Sequence, residues 1–126
     1  MGLFDFLKKK PLSEKVEEYA AKGEIGKLMK LTEETQPKEN RLLAIDALRL
    51  IKHRMSVDHL TEVILRDPDV EIRMAAAKSL LMNGTKDKTD KLLNYSEEEK
   101  ELGNMELSEV LKRAAIDARD RTPRVD

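Results

Sequence analysis

His53 and His59 are the only imidazoles in the chain, and their spacing of six sets a first limit on its chemistry. A helical metal pair needs ligands four residues apart on one face. The two rings stand on either side of a break near Met55-Ser56, so even with Asp58 beside them they read as surface or turn histidines, and no metal site is expected. The carboxylate clusters Glu17-Glu18, Glu33-Glu34 and Glu97 to Glu101 sit in charged surroundings, where nothing raises a pKa for acid catalysis. Without cysteine there is no thiol nucleophile, thiolate metal site or disulfide, and a reducing cytoplasm fits. The five glycines are scattered, so no phosphate-cradling loop forms, and any serine or threonine nucleophile would lack a base. The expectation is a protein that is not an enzyme and carries no cofactor.

The elements that would position any site follow from composition. A chain of 126 residues holds one domain, which for a helical repeat means about three helical hairpins. Hydrophobic residues make up 40% and charged residues 39%, the balance of many thin helices that each expose a polar face. Only Phe4, Phe6, Tyr19 and Tyr95 are aromatic, so the core must be built from aliphatic residues and alanine, which suits helix packing better than a sheet. No apolar run approaches the roughly 20 residues of a membrane-spanning helix, and Met1 to Lys10 lacks the order and cleavage site of a secretory signal. The chain is expected to be soluble and cytoplasmic. The net charge of −1 is spread without a strongly basic segment.

Residues 1–11 are expected to be a tail, with Leu3, Phe4, Phe6 and Leu7 ahead of three lysines and Pro11 ending the segment. A loosely docked start and a weak membrane-surface or partner anchor both fit it. Myristoylation at Gly2 does not, because Phe6 stands where Ser or Thr is wanted. Residues 12–120 form the expected helical domain, and 121–126 a polar tail. Ser13 reads as the first N-cap and Gly23 as the first stop, and a second helix carries Ile25, Leu28, Met29 and Leu31. A third helix is expected over residues 38–53 and a fourth from near Ser56. Asp67 should cap the fifth, with Pro68 in its first turn and Asn83-Gly84 as its stop. A short sixth helix follows Thr85. Ser96-Glu97-Glu98-Glu99 then reads as a capping box, so the acidic run should be a solvated helix start or linker, and the last helix spans about Met105 to Asp120.

Three of these helices look alike. Arg41 to Leu48 superimposes on Arg73 to Leu80 at an offset of 32 residues, and Lys112 to Ala118 follows at 39. With Asp67-Pro68-Asp69-Val70, Ile72-Arg73, Ala76-Ala77 and Leu80, the chain resembles the HEAT-like repeats, in particular the phycobilisome-lyase-type form. The resemblance implies an all-α fold, a short right-handed α–α superhelix (α-solenoid). Chromophore chemistry does not follow from the family's name, since fold alone does not carry function. Ala44, Ala47, Ala76 and Ala77 would let successive helices approach closely, and Arg41 and Arg73 would pair with carboxylates such as Asp67 or Asp69.

The expected function is a non-enzymatic protein–protein interaction scaffold or adaptor that presents a concave inner-helix surface to an unidentified protein. At the offset of 32, Asp46 falls level with Lys78 and Leu50 with Met82, and Arg49 and His53 extend the strip. A mixed polar and apolar strip suits peptide or helix recognition. Two alternatives stay open. One is a nucleic-acid-binding module, using the ten basic residues within 41–91, although eight acids dilute them and no aromatic lies there to stack on a base. The other is an accessory subunit tethered through residues 1–10.

Overall fold

Local stop signals divide the chain much as expected, and Gly23 is the clearest. Its φ of 68° is the left-handed conformation that ends a helix at little cost in glycine, and its N–H and that of Glu24 donate back to Ala20 and Tyr19. The computed structural model describes residues 11–121. Among them lie seven α-helices, one 3-10 turn (Lys86–Lys88) and no strand. The helices are α1 (Leu12–Lys22), α2 (Ile25–Leu31), α3 (Lys38–Arg49), α4 (Arg54–Arg66), α5 (Val70–Asn83), α6 (Thr89–Glu101) and α7 (Met105–Arg119). The tail assignments for residues 1–10 and 122–126 lie outside the described residues.

Helix α5 is the hub, packed against α3 on one side, α7 on another and α4 on a third. Its composition explains this. Ile72, Ala76, Ala77, Ser79, Leu80 and Asn83 are all buried and point in several directions, as in a helix with neighbours all round. Small side chains are what permit the crowding. Ala44 in α3, Ala76 and Ala77 in α5, and Ala114, Ala115 and Ala118 in α7 are all fully buried. Helices α1 and α2 cover the other flank of α3, and α2 also reaches α4.

Several expected boundaries move, each for a physical reason. Helix α1 starts at Leu12, one residue earlier than a Ser13 cap would allow. Pro11 is its N-cap and its carbonyl accepts from Glu14 and Lys15, which lets Leu12 pack on the core. Helix α3 ends at Arg49 rather than His53. The carbonyls left open at its end are taken from outside: buried Ser56 donates to Leu48 at 2.9 Å, and the Asn83 amide donates to Arg49. His53 instead caps α4, its Nδ1 accepting from the Met55 N–H at 3.0 Å. Asp67 does not cap α5. Asp69 does, accepting from the Glu71 N–H at 2.9 Å, because the Asp67 carboxylate is engaged by Arg41 and by the Asp69 N–H.

The acidic run is neither linker nor helix start, since α6 passes unbroken through Ser96 to Glu101. Ser96 and Ser108 are buried and exchange hydrogen bonds, each hydroxyl donating to the other's carbonyl at 2.8 Å, which draws α6 onto α7. The third repeat is also spaced differently. Helices α5 and α7 begin at residues 70 and 105, and buried Ile72, Ala76, Ser79, Leu80 and Asn83 correspond to buried Leu107, Leu111, Ala114, Ala115 and Ala118, an offset of 35 rather than 39. Arg121, expected in the polar tail, is part of the domain. Its guanidinium donates to the carbonyls of Leu81 and, at 2.6 Å, of Gly84, a cation at the end of α5 where the helix dipole favours one. Gly84 fits there because a Cβ would stand 2.8 Å from the Leu80 carbonyl oxygen.

Candidate interaction surface

The repeat arginines are structural: Arg41 pairs with Asp67 as expected, whereas Arg73 pairs with Glu99 instead of a turn carboxylate. Arg41 and Asp67 are both buried and ion-paired, and Arg41 Nε also donates to the Thr32 carbonyl at 2.8 Å. Arg73 pairs with Glu99 at 3.0 Å and reaches the Asp67 carbonyl at 2.8 Å. In both pairs the acid lies 26 residues after the arginine, so each pair ties one helix layer to the next. Charges this deeply desolvated persist only when paired. Neither arginine is available to a ligand.

Of the residues chosen from the sequence, Asp46, Arg49 and Met82 come together. Arg49 Nε donates to Asp46 at 2.9 Å, and its Nη1 lies 3.0 Å from the Met82 sulfur in the next repeat. Leu50 and Met82 remain 61% and 51% exposed, apolar side chains beside a polar fringe. Lys78 is exposed on α5 and enters no ion pair among the described residues, so it does not bridge to Asp46. His53 stands apart from this group by role. It caps α4 and lines a groove on the α2–α4 seam.

That groove was not anticipated. It is a cavity of about 600 Å³ walled by Met29, Met55, His53, His59 and Glu62, among others. A second cavity of about 420 Å³ shares His59 and Glu62 and continues past Thr32, Glu33 and Glu34. His59 links the two. Its Nε2 lies 2.7 Å from Thr32 Oγ1, whose own proton goes to the Met29 carbonyl at 2.7 Å, so the imidazole must be the donor and Nδ1 is left as an acceptor. Burial pushes the His59 pKa below its ordinary value, against the weaker upward pull of Glu62 and Glu33, and keeps the ring neutral at neutral pH. Thr32 and His59 are 27 residues apart, and only the exposed-looking methionines Met29 and Met55 could have flagged the groove in the sequence.

Among the described residues no group of three or more acidic, histidine or cysteine side chains could hold a metal ion, and no helix is long and apolar enough to cross a membrane. The profile of the HEAT repeat family matches residues 25–104, from α2 to the residue before α7. No curated protein and no solved structure matches the chain.

Proposed function

Because the chain belongs to the HEAT repeat family, whose members commonly serve as protein-interaction scaffolds, we propose that it is a non-enzymatic adaptor that binds another protein through the exposed face where α3 meets α5. Asp46, Arg49, Leu50, Lys78 and Met82 form this face, with His53 at its margin. The observation that carries the reading is the contact of Arg49 with Met82, which joins two repeats into one strip with Leu50 and Met82 open at its surface. Exposed leucine and methionine beside a charged fringe have the make-up of a helix- or peptide-binding patch, and methionine adapts to varied apolar partners. The phycobilisome-lyase-type subgroup, read from Asp67 to Leu80, and a cytoplasmic setting, suited to a chain without cysteine, belong to the same reading.

The basic residues support a protein partner over a nucleic acid. Within 41–91, Arg41 is buried and Arg73 partly buried, each in an ion pair, and Arg49, Arg54, Arg66 and Lys88 are also paired with carboxylates. That leaves little uncompensated charge to track a phosphate backbone. The test is affinity purification from the native host with a C-terminal tag, comparing the parent with a Leu50→Asp/Met82→Asp variant of equal helicity. A partner held by the parent and lost by the variant is expected. Retention of every partner by the variant would remove this face from consideration.

A further inference from the structure

The seam between α2 and α4 carries three unlike groups in a row. In the larger cavity the charged walls are neutralised within the domain, Arg54 by Asp87 at 3.2 Å and Asp58 by Lys88 at 2.7 Å, which leaves Met29 and the half-exposed Met55 to set its character. In the adjoining cavity Arg41 is matched by Asp67 and Arg66 by Glu62, while Glu33 and Glu34 are exposed and enter no ion pair among the described residues. The seam is therefore apolar at one end and carries an excess of negative charge at the other. His59 lines both cavities, and with Nε2 given to Thr32 its Nδ1 is an acceptor that has no partner among the described residues.

The order of these groups specifies what fits. The methionines suit an apolar side chain, because their flexible thioethers adapt to its shape, and the two unanswered glutamates suit a cation. An imidazole acceptor takes an N–H, and a helix has few to spare because its own carbonyls use them, so an extended backbone answers it better. The spacing is set by α4. From Met55 in the apolar cavity to Glu62, which also lines the acidic one, the helix advances roughly 10 Å. An extended chain covers that distance in about three residues. We propose that the α2–α4 seam docks an extended segment of a second protein in which an apolar side chain stands about three residues from a lysine or arginine. The apolar side chain lies against Met29 and Met55, and the cation faces Glu33 and Glu34. The proposal is independent of the α3–α5 face, so either can fail alone.

Selection of a random-peptide phage library on the full-length protein tests this without a known partner, and fluorescence polarisation of the enriched peptides measures their affinity. Expected is enrichment of an apolar residue about three positions from Lys or Arg, with binding that weakens as salt rises. Met55→Glu and, separately, the Glu33→Lys/Glu34→Lys pair alter only exposed side chains and should leave the melting temperature near the parent's. Each should weaken the enriched peptides by about tenfold, one by removing apolar contact and the other by reversing the charge. Leu50→Asp/Met82→Asp should leave their affinity unchanged, which separates this seam from the α3–α5 face. The proposal is overturned if no peptide is enriched, if the enriched peptides lack a cation, or if they bind the parent and both seam variants alike. It is equally overturned if sedimentation shows the parent self-associating and both seam variants monomeric, which marks a second copy as the occupant.

Discussion

Removing Arg41 tests the packing scheme most severely, because the side chain is 6% exposed and its partner Asp67 only 7%. Arg41→Met keeps much of the volume but strands the Asp67 carboxylate, whose sole remaining donor among the described residues is the Asp69 N–H at 3.0 Å, and it also removes the donor to the Thr32 carbonyl. Breaking a buried pair from one side typically costs about 3–5 kcal/mol, a large share of the roughly 5–15 kcal/mol that holds such a domain together. In a domain of this size that corresponds to a fall of roughly 15 °C or more in melting temperature. The control is Arg49→Met, which removes the exposed pair with Asp46 and should cost no more than about 1 kcal/mol. Urea denaturation followed by circular dichroism measures both. Adding Asp67→Asn to Arg41→Met should cost less than the two single losses together, since the stranded charge is then gone. If Arg41→Met unfolds within about 1 kcal/mol of the parent, the inter-repeat ion pair is not the tie described, and its desolvation has been overstated.

Three further outcomes follow from the same geometry. Ala76→Leu forces a larger side chain into a fully buried site on the hub helix and should lose about 1–3 kcal/mol by urea denaturation, and a loss below about 0.5 kcal/mol would contradict the close approach of α5 to its neighbours. Ser108→Ala removes a buried donor to the Ser96 carbonyl, and a cost of about 1–2 kcal/mol is expected, whereas an unchanged midpoint would mean that the carbonyl finds another donor. His59 binds its proton less readily in the folded protein than in the unfolded chain, so its contribution to stability is complete above about pH 6.5 and is lost as pH falls through the lowered folded value. Thermal melts should therefore lose stability as the pH falls below about 6.5, and His59→Gln should flatten that slope. An identical slope in the variant would assign the effect elsewhere.

Much of the architecture was legible because its signals are local. Helical spacing of apolar residues, a glycine stop at Gly23 and the Asn83-Gly84 boundary depend on residues within a few positions of one another. The absence of cysteine and of a glycine-rich loop likewise restricts the chemistry before any contact is known. The alanines of α3 and α5 announced close packing in the same way, since only a small side chain permits it.

The tertiary structure decided what depends on partners far along the chain. Where α3 ends is set by Ser56 and Asn83, which take up the carbonyls of Leu48 and Arg49. A run of glutamates that reads as solvent-facing loses Glu99 to the interior because Arg73, 26 residues earlier, meets it there. Arg121 is recruited from an expected tail by carbonyls 37 and 40 residues before it, and His59 enters a groove only because Thr32 stands across the seam. A sequence names every donor and acceptor but not their distances, and a buried polar group takes whichever partner the packed helices bring within about 3 Å.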